Sequence, residues 1–81
     1  MGQFTQMVKS KGGARVFLVH GEEDGRAAWY FVHVDKVKVA IFEAMMKDGD
    51  YSLGKVGKIL HSGWGDSPPD DIRVKIQQQY G

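Results

Sequence analysis

The segment Arg26–Asp48 constrains the fold more than any other part of the chain, because its hydrophobic pattern changes period halfway along. Residues Ala27–Val34 are apolar or aromatic at nearly every position, which is typical of a strand buried on both faces. The residues after Asp35 follow helical spacing, and the predicted core-facing stripe consists of Val37, Ile41, Ala44 and Met45. A buried strand that leads directly into an amphipathic helix predicts a small α+β domain.

The same segment contains signals for both ends of its helix. Asp35 follows the strand and is a favourable residue type for capping the helix that begins there. Gly49 follows the last helical residues and can adopt the left-handed conformation that commonly ends a helix. Residues 50–57 contain two glycines and carry no pattern that assigns them to a helix or a strand.

Another strand is predicted at Ala14–His20, which precedes the strand Ala27–Val34 in the chain. The acidic segment Gly21–Gly25 separates the two strands, so the sequence predicts a hairpin over Ala14–Val34 with a five-residue turn. In this register His20 lies opposite Arg26. The predicted neighbours across the hairpin are then Phe17 and Val19 on one strand, and Trp29 and Ala27 on the other.

The C-terminal part of the chain predicts one more strand and one more helix. Lys58–Trp64 has the composition of a short strand, and Trp64 is expected to anchor the following helix to the sheet. The helix is expected to begin with a capping box, in which Ser67 is the N-cap, Pro68 the first helical residue and Asp70 the reciprocal partner. Its predicted apolar stripe is Ile72, Ile76 and Tyr80.

These elements predict a single α+β domain over residues 1–81 with the element order (β)ββαβα. Residues 1–13 form either an edge strand or a flexible arm. A right-handed strand–helix–strand crossover would make Ala27–Val34 parallel to Lys58–Trp64, which gives a mixed sheet of three or four strands. Both helices are expected on one face of this sheet, in a two-layer sandwich.

Charge and composition exclude several classes of protein. Eleven basic and ten acidic residues give a net charge of +1, which argues against a dedicated duplex-DNA binder. The chain contains no cysteine, and this excludes disulfides and thiolate metal sites. No stretch approaches the ~20 apolar residues of a membrane helix, and the first residues lack the apolar core of a secretory signal. We therefore expect a cytoplasmic protein that does not act in a membrane.

No pattern in the sequence predicts a catalytic residue, a cofactor or a metal. The segment Gly49–Val56, GDYSLGKV, resembles a phosphate-binding loop, but Val56 replaces the required hydroxyl residue and the segment follows a helix instead of a strand. In the predicted hairpin His33 lies seven residues beyond the position opposite His20, on the order of 20 Å away, so the two histidines cannot share a metal ion. The third histidine, His61, has no required partner.

The predicted two-layer fold leaves the second face of the sheet open, and this face carries the functional hypothesis. Phe17, Trp29 and Phe31 would form an aromatic patch larger than monomers usually expose. We expect either that the N-terminal segment or a long connector covers it, or that it binds a protein partner or a second copy. The expected function is that of a non-enzymatic accessory or adaptor protein. The alternative is weak binding of single-stranded RNA or DNA by these aromatic residues and the nearby basic residues Lys9, Lys11, Arg15, Lys55 and Lys58.

Overall fold

The computed structural model describes residues 3–9, 11–50 and 52–80. These residues form an α+β domain, which confirms the predicted class. The strands are β1 (Gln3–Lys9), β2 (Arg15–Glu23), β3 (Arg26–Val34) and β4 (Lys58–Trp64), and the helices are α1 (Val39–Lys47), α2 (Leu53–Val56) and α3 (Asp70–Tyr80). Short 3-10 turns precede β2 at Lys11–Gly13 and α1 at Lys36–Lys38.

The strands lie side by side in chain order, β1-β2-β3-β4, and every neighbouring pair is antiparallel. The predicted parallel pairing of β3 with β4, and with it the mixed sheet, is therefore wrong. Lys58 at the start of β4 pairs with His33 near the end of β3. The chain thus leaves the sheet through α1 and returns to the same end through residues 48–57, where α2 forms. A crossover would have delivered it to the opposite end.

The hairpin of β2 and β3 is confirmed, but its turn is tighter than predicted. Asp24 and Gly25 both have positive φ angles, of 54° and 76°, and Glu23 pairs directly with Arg26. Such a two-residue turn matches the right-handed twist of the strands. His20 consequently pairs with Trp29 and not with Arg26, a shift of three residues along β3. An odd shift reverses the face on which each residue of β2 lies relative to β3.

Helices cover both faces of the sheet, so the predicted two-layer sandwich with both helices on one face is wrong. On the α1 face, Phe42 and Met46 of α1 and Leu53 of α2 pack against the strand residues Phe17, Val19, Val32 and Val34. On the opposite α3 face, Ile76 packs against Val16, Leu18, Trp29 and Phe31. Because β2 and β3 are apolar on both sides, a single layer of helices would leave half of this surface in water.

Helix α1 faces the sheet with a different stripe from the predicted one. The buried residues of α1 are Phe42 and Met46, and Val39 packs against the same cluster. Of the predicted stripe, Val37 and Ile41 are 82% and 52% exposed, Ala44 is exposed, and only Met45 is partly buried. Asp35 precedes the 3-10 turn and not α1 directly, and it makes no side-chain capping hydrogen bond. Gly49 has a φ angle of 82° and follows the helix as predicted.

The strand β4 has the predicted bounds, whereas the next helix begins later than expected. A bulge interrupts the pairing of β3 with β4, and it places Leu60 against the cluster on the α3 face. Helix α3 begins at Asp70 and not at Pro68. Trp64 lies opposite Ala28 and is therefore on the α1 face, so it does not anchor α3 as predicted. Among the described residues, no helix is long and apolar enough to cross a membrane.

Candidate interaction surfaces

The predicted aromatic patch does not exist as a surface. Phe17, Trp29 and Phe31 are only 3%, 6% and 0% exposed. Phe17 belongs to the cluster on the α1 face, whereas Trp29 and Phe31 belong to the cluster on the α3 face. The prediction of one open face is wrong for two reasons: the hairpin register differs by three residues, and α3 covers the face that was expected to be open.

The structure describes the side chains of three of the five basic residues in the nucleic-acid alternative. Lys55 on α2 and Lys58 at the start of β4 are exposed, and Arg15 on β2 is partly buried. The side chains of Lys9 and Lys11 lie outside the described part of the structure. Because the three predicted aromatic residues are buried, none of them offers a ring face on which a base could stack.

The outer face of α1 is the first surface that the structure leaves open. We use this name for Ile41 and Ala44, which are three residues apart on one side of α1, together with the exposed Val37 in the 3-10 turn directly before the helix. Their spacing is that of an amphipathic stripe, which is why the sequence alone predicts that they face the core. Phe42 and Met46 occupy the core instead, because they reach the aromatic cluster around Phe17. Helix α1 is thus apolar on two sides.

A depression at the hairpin end of the α1 face is the second open surface. Its volume is about 270 Å³, and it is lined by Glu23, Ala28, Tyr30, Ser62, Gly63 and Trp64. Ala28 pairs with Trp64, and Tyr30 pairs with Ser62, so small side chains form the floor between two large rings. Trp64 is 48% exposed. We call this feature the Tyr30–Trp64 depression.

Two contacts hold the rings of the Tyr30–Trp64 depression in place. The Tyr30 hydroxyl donates a hydrogen bond of 3.1 Å to Oε2 of Glu23. The guanidinium carbon of Arg26 lies 4.3 Å from the centroid of the Trp64 ring, within the range of a cation–π contact. Arg26 does not line the depression, so it packs against Trp64 from outside. One carboxylate and two aromatic rings therefore border the same space.

The position of Tyr30 affects its acidity. Burial raises the pKa of the Tyr30 phenol above its ordinary value, and the hydrogen bond to Glu23 and the negative charge of that carboxylate raise it further. Each cause disfavours the charged phenolate. The pKa of the phenol is higher in the folded state than in the unfolded state. Its contribution to stability is therefore complete below the unfolded pKa of about 10, and it is lost as the pH rises through the folded pKa.

We expect the substitution Glu23→Gln to lower the pKa of Tyr30 part of the way toward its ordinary value. The substitution removes the charge and keeps an acceptor oxygen, while burial, the largest cause of the shift, remains. Titration of the Tyr30 ring carbon by NMR measures the change, with Tyr30→Phe to assign the signal. Glu22→Gln is the matched control, because Glu22 pairs with Ala27 and so lies on the opposite face. An equal effect of both variants would contradict the contact between Tyr30 and Glu23.

The histidines give no sign of a metal site. His20 pairs with Trp29, so His33 lies four residues farther along β3, about 13 Å away. The ring of His33 lies 5.6 Å from that of Tyr80 and at a tilt of 45°. Over the described residues, no group of three histidine or carboxylate side chains is placed to hold a metal ion.

A comparison with protein families, curated proteins and solved structures finds no match to this chain. Inferences about function are therefore based on the outer face of α1 and the Tyr30–Trp64 depression. Sequence reasoning missed both of them. The dipeptide Asp24–Gly25 was the available signal for the depression, because a two-residue turn there places Glu23 and Tyr30 on one face of the sheet.

Proposed function

We propose that this protein is a non-enzymatic accessory protein that acts through contact between protein surfaces, and that it associates with a second copy through the outer face of α1. The observation that carries the proposal is the exposure of Ile41 on α1, whose other side is already packed, and of Val37 in the 3-10 turn directly before it. Single exposed apolar residues are ordinary, but a second apolar stripe on one helix is a feature of helices that are covered on two sides.

The spacing of the residues on the outer face of α1 favours a second copy of the chain as the binding partner. Val37, Ile41 and Ala44 repeat at the four- and three-residue intervals by which paired helices interlock. In a two-fold symmetric pair each stripe would lie against its own copy, so one surface supplies both halves of the contact. The small Ala44 would allow the two helix backbones to approach closely. The proposal thus needs no residue outside α1 and the turn before it.

The size of the outer face of α1 determines how strongly the two copies are expected to associate. Stable protein interfaces bury about 1,200–2,000 Å² in total, and three side chains on each copy fall short of that range. We therefore expect a weak dimer whose population depends on concentration. Its contact is apolar, so added salt should not dissociate it, in contrast to an association between charged surfaces.

Light scattering over a concentration series, at low and high salt, tests the proposal. We expect the mass of the wild-type protein to rise toward that of a dimer, and the variant Ile41→Lys to remain a monomer throughout. Val74→Lys is the matched control, since Val74 on α3 is 53% exposed compared with 52% for Ile41 and lies across the sheet. The proposal would be wrong if the wild-type protein remained a monomer at every concentration. It would also be wrong if Ile41→Lys dimerised as strongly as the wild-type protein.

A further inference from the structure

We infer that the Tyr30–Trp64 depression is a binding site for the arginine side chain of an extended peptide. This inference concerns a surface separate from the outer face of α1 and does not depend on dimerisation. It rests on three properties of the depression: the chemistry of its walls, its size, and its place beside the edge of the sheet.

The walls of the depression suit an organic cation. Aromatic rings attract cations to their faces, and the guanidinium group of arginine also stacks on them because it is planar and weakly hydrated. The carboxylate of Glu23 lines the same space and uses one oxygen to accept the hydrogen bond from Tyr30. A carboxylate beside two rings therefore offers a bound guanidinium both a charge partner and a stacking surface.

The protein already contains one example of the proposed contact. Arg26 places its guanidinium 4.3 Å from the centroid of the Trp64 ring, on a part of the ring outside the depression. This internal contact restrains the ring of Trp64, which pairs with Ala28 on the neighbouring strand. A ring fixed in this way loses less side-chain entropy when a ligand binds, which lowers the cost of binding.

The position of the depression favours a peptide side chain over a free small molecule. Its volume of about 270 Å³ is at the small end of the ~300–1,000 Å³ typical of small-molecule pockets. The depression also adjoins β4, which is the edge strand next to β3 in the sheet formed by the described residues. An extended peptide can align with an open strand edge while alternate side chains enter a neighbouring pocket. Ser62 and Trp64 lie on the same face of β4 and would be nearest to such a side chain.

Charge complementarity decides between an arginine and an uncharged side chain. Glu23 lines the depression, Asp24 lies in the adjoining turn, and Arg26 packs on Trp64 without lining the depression. These two carboxylates would attract an incoming cation, whereas they would not attract an apolar side chain. The same carboxylates disfavour a phosphate group.

An NMR titration with three blocked peptides tests the inference. The peptides carry arginine, citrulline or lysine between two glycines, and citrulline has the shape of arginine without its charge. We expect the arginine peptide to shift the indole N–H signal of Trp64 in a saturable way at roughly millimolar concentration. The signal of the buried Trp29 should not move, and Trp64→Phe assigns the two signals. Binding of citrulline should be about fivefold weaker.

Two variants complete the test. Glu23→Gln should weaken binding of the arginine peptide by about fivefold, whereas the control Glu22→Gln, on the opposite face of the sheet, should change it little. Equal affinities for arginine and citrulline would overturn the inference in favour of an uncharged occupant. Tighter binding of lysine would assign the site to an ammonium group. The absence of a saturable shift with any of the peptides would also overturn it.

Discussion

The substitution Phe42→Ala should lower the free energy of unfolding by about 3–5 kcal/mol, the range found when a buried phenylalanine is truncated. Phe42 is fully buried, its ring is stacked on Phe17 at 4.7 Å between centroids, and it meets Phe4 edge-on at 6.2 Å. It therefore joins α1 to β2 and β1. Because a domain of this length is stabilised by roughly 4–12 kcal/mol in all, most of its stability would be lost.

Urea denaturation followed by circular dichroism measures this effect. The control is Ile41→Ala, the neighbouring residue on the same helix, which is half exposed and should cost less than about 1 kcal/mol. The contrast between adjacent positions tests which side of α1 faces the sheet. If Ile41→Ala proved the more costly substitution, the helix would be rotated toward the stripe that its hydrophobic spacing predicts.

The substitution Gly63→Ala should destabilise the protein by about 1–3 kcal/mol through overpacking. A Cβ atom at Gly63 would overlap the Trp29 ring, with its distance to Cε2 only 2.8 Å. Trp29 cannot easily move away, since it is buried and meets Phe31 at 5.9 Å between ring centroids. Gly63 thus allows β4 to pass close beside the largest side chain on the α3 face.

A control and a double variant make this prediction specific. Gly54→Ala adds the same methyl group where nothing lies within 4 Å, and because Gly54 is in α2 the change should stabilise the protein by up to about 1 kcal/mol. In the background Trp29→Phe, whose smaller ring leaves space, the cost of Gly63→Ala should fall. Independent effects of the two substitutions would contradict the contact between Gly63 and Trp29.

Local patterns predicted the elements of this fold better than they predicted its assembly. The continuous apolar run of Ala27–Val34 and the composition of Lys58–Trp64 were sufficient to place both strands. The direction and register of the strands depended on two features that hydrophobic periodicity does not predict. One is the path of residues 48–57, which brings the chain back to the end of the sheet it left. The other is the conformation of Asp24 and Gly25, where an error of three residues moved Phe17 to the wrong face.

Hydrophobic periodicity also did not determine how the helices pack on the sheet. Helix α1 carries two apolar stripes, and hydrophobic spacing alone cannot decide which of them meets the sheet. Aromatic packing decides it, because Phe42 fills the space beside Phe17. Helix α3 was expected on the same face as α1 because the predicted fold was a two-layer sandwich. That expectation, together with the wrong hairpin register, produced the predicted open patch. The sequence pattern thus contained the residues of the outer face of α1, but it did not show that they are exposed.

The position of α3 in the chain has a consequence for the protein while it is being made. All the strands precede α3, so the sheet can form on the ribosome before Ile76 is available to cover its second side. During that interval Trp29, Phe31 and Leu18 face water on a nascent sheet with open edges, which is the kind of intermediate that aggregates or recruits chaperones. A premature stop codon ahead of α3 would make this exposed state permanent.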